Sequence, residues 1–133
     1  MKINYRLLLY LLFIAGGIFV LEQFRIDNIP DPNDVIIVTI EGNGETVDIS
    51  DEAIISVLLE DIAKAKNTLR SSNHDQPIDE PYWTLVFQTA EGRTDTVYFY
   101  ESRWFSYIEK PYEGIYTVDS ATLENLAHFI QMW

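Results

Sequence analysis

Hydrophobic and polar positions follow three different rhythms along the chain. From Leu7 to Leu21, "LLLYLLFIAGGIFVL", the apolar character is unbroken. From Ile54 to Leu69 it recurs at helical spacing, and from Tyr82 onward it alternates through segments rich in aromatic and β-branched residues. The three rhythms predict, in order, a helix apolar on all sides, an amphipathic helix and a run of β-strands.

The first segment carries no charge and no proline, and Lys2 and Arg6 precede it. Tyr5 to Leu21 is 17 residues, about 26 Å of helix against a hydrocarbon core of roughly 30 Å. Phe24 and Ile26 lengthen the apolar run, and Arg6 and Arg25 can snorkel toward the interfaces. Residues 1–26 are therefore expected to form an N-terminal transmembrane anchor. The placement of Lys2 and Arg6 puts the N-terminus in the cytoplasm and the rest of the chain outside. The rival reading is a secretory signal, with its small trio Ala15, Gly16 and Gly17 and secretion after cleavage. The apolar "IFVL" that follows the trio favours the anchor.

Residues 27–34, within "RIDNIPDPND", read as an acidic, proline-containing stalk. The domain proper then spans 35–133. It opens with a hairpin whose strands cover Val35 to Glu41 and Thr46 to Ile49 around a turn at Gly42, Asn43 and Gly44. Ser50 caps the helix that follows, with Asp51 and Glu52 in the first turn. Ile54, Ile55, Leu58, Leu59, Ile62, Ala65 and Leu69 share one stripe of it, which sets its range at 51–69.

After the polar segment "RSSNHDQPIDEP" come "YWTLVFQTA", "TVYFYES" and "WFSYIEK", an antiparallel meander. Alternation puts Trp83, Leu85, Phe87, Val97 and Phe99 on the core side, and Tyr82, Thr84, Gln88, Tyr98 and Tyr100 on the other. In "YIEKPYEGIYTVD", Pro111 starts a four-residue loop that Gly114 closes in the left-handed region. Lys110 then pairs with Ile115, Glu109 with Tyr116 and Tyr107 with Val118. Both faces of this ribbon carry large apolar groups, so a helix or a partner must cover the second one. The final helix, 120–131, has the stripe Leu123, Leu126, Ala127, Ile130 and Trp133, with His128 off it.

Charge narrows the partners. Residues 1–26 carry +2, leaving −14 on 27–133 out of −12 for the whole chain. Such a domain repels nucleic acid and anionic lipid, so membrane contact is expected through the N-terminal helix only. There is no cysteine, which excludes disulfides and a lipid-bearing cysteine and leaves stability to an ordinary core.

Candidate chemistry is thin. No cofactor motif is present: "GNG" lacks the third glycine, the lysine and the helix start of a phosphate loop. His74 and His128 are the only histidines, too few for a zinc site. Asp27, Asp31 and Asp34 offer oxygens to calcium without the spacing of a calcium loop. Ser71, Ser72, His74 and Asp75 are neighbours on one loop, whereas triads converge from separate elements. Acids Asp95, Glu101 and Glu109 are the material for a paired-carboxylate hydrolase, though nothing in their spacing selects a pair.

The expected fold is α+β: an antiparallel sheet of five to six strands in hairpins, two helices mainly on one face, and the N-terminal transmembrane helix ahead of them. The expected function is a noncatalytic, membrane-tethered extracytoplasmic binding or regulatory module for a protein or peptide partner. Tyr98, Tyr100, Tyr112 and Tyr116 are the candidate contacts, because aromatic residues concentrate where interfaces carry energy. The alternatives are the small cell-surface hydrolase and a calcium-stabilised structural module. With its short apolar N-terminus, acidic domain, "SDEAIISVLLEDIAKAKNT" helix and "YIEKPYEGIYTVD" hairpin, the chain resembles a family of small uncharacterised exported proteins of Gram-positive, bacillus-type bacteria. The resemblance covers most of residues 35–130, implies location and fold, and assigns no catalytic residue.

Overall fold

The computed structural model describes residues 5–22, 26, 29–119 and 128. Helix α1 runs Tyr5–Glu22, and the domain follows as β1 Val35–Gly42, β2 Glu45–Ile49, α2 Glu52–Ala63, β3 Lys66–Arg70, β4 Tyr82–Thr89, β5 Thr94–Glu101, β6 Ser106–Lys110 and β7 Gly114–Val118. The strands form one seven-stranded sheet in the order β2-β1-β4-β5-β6-β7-β3. Each neighbouring pair is antiparallel.

Most of the meander assembles by local rules. Asn43 and Gly44, with φ of 51° and 78°, make the two-residue turn that lets Gly42 pair with Glu45, since both central residues of such a turn need positive φ. Trp83 lies across Gly42, where a Cβ would come within 2.1 Å of the indole. Glycine is therefore required there by the close approach of a ring rather than by a turn.

Seven strands replace the expected five to six, and the extra one is β3. The helix predicted over 51–69 stops at Ala63; Lys64 is its C-cap, and its N–H bonds back to the Asp61 carbonyl at 3.2 Å while the Ala65 N–H bonds that of Ile62 at 3.0 Å. Ala65 and Leu69 fit the apolar stripe by coincidence. Ala65 is buried in the core, whereas Leu69 is 75% exposed with φ of 63° in a bulged strand. The N-cap also moves, from Ser50 to Asp51, whose carboxylate accepts from the N–H groups of Ala53 at 2.9 Å and Ile54 at 3.2 Å.

The N-terminal transmembrane helix is likewise corrected. No helix among the described residues is long and apolar enough to cross a membrane. Charges at Arg6 and Glu22 bracket the apolar part of α1, leaving 15 residues, about 22 Å against the roughly 30 Å needed. Ile26 cannot lengthen the run, because it is only 7% exposed in the domain core and its N–H bonds the Ala65 carbonyl at 3.3 Å. Of the helix expected at 120–131 only His128 is described, in helical conformation and exposed; the rest lies outside the described residues.

One face of the sheet meets α2. Ile55, Leu58, Leu59 and Ile62 of the helix pack with Val38, Ile40, Leu85, Phe87, Val97, Phe99, Ile108 and Tyr116. Among the described residues, no helix crosses the opposite face. Segment 71–81 crosses it, because β3 sits at the far edge beside β7 while β4 sits next to β1. Four strand spacings, about 19 Å, separate β3 from β4, and eleven residues bridge them.

The β6–β7 hairpin is one residue tighter than expected. Lys110 pairs with Gly114, Glu109 with Ile115 and Ile108 with Tyr116. A bond from the Glu113 N–H to the Lys110 carbonyl at 3.1 Å closes a turn with Pro111 and Tyr112 at its centre. Tyr112, at φ 60°, holds the left-handed position assigned to Gly114. Since side chains alternate between faces, this slip of one residue carries Tyr116 into the core and Ile115 onto the second face.

Two substitutions check this packing by urea unfolding. Phe87, fully buried, loses about 3–5 kcal/mol on change to Ala. Gly42→Ala pushes against the Trp83 ring and costs about 1–3 kcal/mol, whereas an unaltered midpoint would mean that the ring does not lie there.

Candidate functional site

Beneath segment 71–81, β5, β6 and β7 present Tyr98, Tyr100, Tyr107, Glu109 and Ile115, which alternation and the observed register place on one face. Glu109 is an acid set among tyrosines and only 5% exposed. A buried carboxylate must be hydrogen-bonded. The Ser72 hydroxyl donates to Oε1 at 2.6 Å and the Tyr100 hydroxyl to Oε2 at 3.2 Å. Segment 71–81 thus supplies one of the two hydrogen bonds to the Glu109 carboxylate.

Burial, first, and then the neighbouring Glu109 charge and hydrogen bond push the Tyr100 hydroxyl well above its usual pKa. Tyr100 stacks obliquely on Tyr107 at 5.5 Å, and the Arg70 guanidinium lies over the Tyr107 ring at 5.9 Å. Three residues after Ser72, Asp75 accepts the Tyr112 hydroxyl at 2.5 Å. That bond is the leading cause of the raised Tyr112 pKa. Between sheet and segment is a cleft of about 210 Å³, lined among others by Arg70, His74, Ile78, Asp79, Tyr100 and Glu109.

The four tyrosines proposed as contacts do not form one surface. Tyr112 is 67% exposed at the hairpin tip. Tyr98 is half-buried, edge-on to Tyr82 at 5.4 Å, and burial ahead of its charged and phenolic neighbours raises its pKa. Tyr100 is buried on the second face, and Tyr116 is buried in the core. Besides Tyr112, the large exposed aromatics among the described residues of the domain are Trp104 and Phe105, 77% and 60% exposed in the β5–β6 turn. They border a groove of about 400 Å³ together with Glu101, Arg103 and Val118. Arg103 lies over the Trp104 ring at 5.2 Å.

The three candidate acids are dispersed. Glu109 faces segment 71–81, while Asp95, opposite Phe87 in the register, is on the other face. There Asp95 pairs with the buried Lys110 at 3.4 Å. Glu101 is exposed at the end of β5. In the loop Ser71–Asp75, Ser72 is committed to Glu109 and Asp75 to Tyr112, so the nominal triad is divided between separate partners. Asp31 caps its own turn by accepting from the Asn33 backbone N–H at 2.9 Å and side chain at 3.0 Å; Asp27 lies outside the described residues. Among the described residues no cluster of three or more acids or histidines is arranged to hold a metal.

A second cleft, of about 350 Å³, separates the stalk from the β4–β5 turn, with Ile29, Asp31, Arg93 and Asp95 on its walls. Its two acids are already engaged as described.

The sequence of residues 24–117 matches DUF5301, described as a domain of unknown function (DUF5300). The chain belongs to this family. The match begins two residues before Ile26, the first residue built into the domain core, and ends within β7. No curated protein matches the chain. Among solved structures it is similar to a protein from Ruminococcus gnavus determined by NMR, with 29% identity, 71% of this chain and 96% of that chain covered, and a TM-score of 0.61. The DUF5301 fold is therefore shared well beyond the locally determined hairpins, and family membership brings no activity with it.

Sequence reasoning missed the Ser72–Glu109–Tyr100 cluster. Its one signal was Glu109 itself, an acid between Ile108 and Lys110 in a strand that puts Tyr107 beside it on the same face.

The cluster predicts a specific alkaline response. Tyr100 stays protonated in the fold above 10.0, the ordinary tyrosine value. Below that pH the group is neutral in both states and contributes no slope; above it the unfolded chain alone ionises, so stability falls as pH rises. Tyr100→Phe lowers stability at neutral pH and flattens this alkaline fall in urea midpoints measured from pH 8 to about 11. Parallel profiles for the two proteins contradict the assignment.

Proposed function

We propose that this DUF5301 domain is a noncatalytic binding module for a protein or peptide, acting outside the cytoplasm. The observation that carries the reading is the pair Trp104 and Phe105, held out of the β5–β6 turn beside an open groove. An exposed Trp with an Arg packed on its face is the composition that interface hot spots favour. The domain's charge of −14 steers basic partners toward it and disfavours acidic ones. Dispersal of Asp95, Glu101 and Glu109 over both faces supports the noncatalytic reading, since paired-carboxylate chemistry needs two acids within about 10 Å across one cleft.

Export is part of the proposal. The features that support it are the positive Lys2 and Arg6, the 15-residue apolar run and the small residues Ala15 to Gly17, a layout that fits a secretory signal. The bacillus-type exported family suggested by the hairpin motif is in line with it. N-terminal sequencing of the protein recovered from culture medium checks this part separately, with a start between residues 16 and 26 expected.

For the binding surface, a photo-crosslinking amino acid placed at Trp104 should capture a discrete partner in producing cells. The same probe at Glu45, on the opposite edge strand, should not. Equal capture at both positions, or none at 104, defeats the proposal. Trp104→Ser with Phe105→Ser should abolish capture by a probe at Arg103 while leaving the unfolding midpoint within about 1 kcal/mol of the parent.

A further inference from the structure

The cleft beneath segment 71–81 carries an arrangement that the peptide-binding reading leaves unused. Its lining is mixed in charge. Arg70, with no carboxylate within ion-pair distance among the described residues, and Glu109 flank Ile115 on the sheet floor, and Asp79 of the covering segment adds a second carboxylate to the lining. Arg70 is pre-positioned by the Tyr107 ring beneath it, so its planar fork of donors is oriented before any ligand arrives. Each Glu109 oxygen accepts one hydrogen bond from Ser72 or Tyr100, and a carboxylate oxygen can accept two. Ile78 and Ile115 supply apolar surface at the same cleft.

From this we infer a binding site for a small zwitterion, an α-amino acid with a short apolar side chain. The ligand's carboxylate meets the Arg70 fork, its ammonium meets Glu109 and Asp79, and its side chain lies against Ile78 and Ile115. Size agrees: at about 210 Å³ the cleft is below the roughly 300 Å³ at which pockets for drug-sized ligands begin. Charge discriminates further. A domain carrying −14 repels a simple carboxylate anion, whereas a ligand of zero net charge reaches Arg70 without that penalty. A simple amine is attracted to the acids but leaves the Arg70 fork unoccupied.

Three probes of one carbon skeleton test the inference on the full chain by titration calorimetry: L-valine, isobutylamine, which lacks the carboxylate, and isovalerate, which lacks the ammonium. L-valine should bind, and each of the other two roughly tenfold or more weaker, the loss expected for one charge-assisted contact. Arg70→Gln, at an exposed position, should bring L-valine down to the affinity of isobutylamine, and Asp79→Asn should reduce L-valine binding while leaving isovalerate unchanged. Thermal unfolding of both variants verifies that they remain folded. No heat from L-valine up to about 10 mM, equal affinity for all three probes, or parental L-valine binding by Arg70→Gln each overturns the site. Capture of a partner at Trp104 is unaffected by any of these results, so the two readings stand or fall separately.

Discussion

The position of β3 at the outer edge beside β7 is the constraint on which the domain depends. The chain leaves the β1–β2 hairpin at one edge and reaches the opposite edge three residues after α2 ends. It then returns to pair β4 with β1. Two crossings follow, one on each face of the sheet. The outward crossing is α2, whose buried Ile55, Leu58, Leu59 and Ile62 make a conventional helix-on-sheet core. The return crossing is segment 71–81, without regular structure and therefore obliged to satisfy its polar groups by side-chain bonds. Ser72 to Glu109 and Tyr112 to Asp75 are two of those bonds.

This asymmetry accounts for the chemistry of the two faces. Beneath a helix the sheet presents aliphatic and aromatic residues. Beneath a polar segment it presents tyrosines and one acid, whose rings bury area while their hydroxyls find partners. The clefts that remain are mixed in charge for the same reason. Both sheet edges are guarded against pairing with other chains. β2 carries Glu45 and Asp48, and β3 is short and bulged between Asn67 and Arg70, with Leu69 in the left-handed region. That bulge sets Arg70 opposite Ile115, at the cleft.

Where local chemistry decides, the sequence was legible. The Asn43–Gly44 turn, the α2 stripe through Ile62 and the inward set Leu85, Phe87, Val97 and Phe99 all follow from spacing and residue type. Elements set by distant partners were not. "KNTLR" has weak strand character, and only its pairing with β7 makes it β3. An apolar stripe that ran on through Ala65 and Leu69 hid the helix end. The hairpin register turned on a single residue: glycine at 114 invited the left-handed assignment, yet Tyr112 adopts it, with its ring fastened to Asp75. That one step removed Tyr116 from the surface. The covering of the second face was foreseen as a need, but segment 71–81 looked like an ordinary solvent loop because its anchors, Ser72 and Pro77, are not apolar runs.

Placing an early strand against the last one also governs how the chain can be made. During synthesis β3 emerges from the ribosome more than forty residues ahead of β7, its sole neighbour in the sheet. Until Val118 is out, the sheet has no far border, and segment 71–81 has no completed floor to lie on. Such non-local closure is slow and leaves strand backbone unpaired in the meantime. A nascent DUF5301 domain is therefore most exposed to misassociation near the end of translation, and a chain halted before β7 is a half-built sheet rather than a smaller domain.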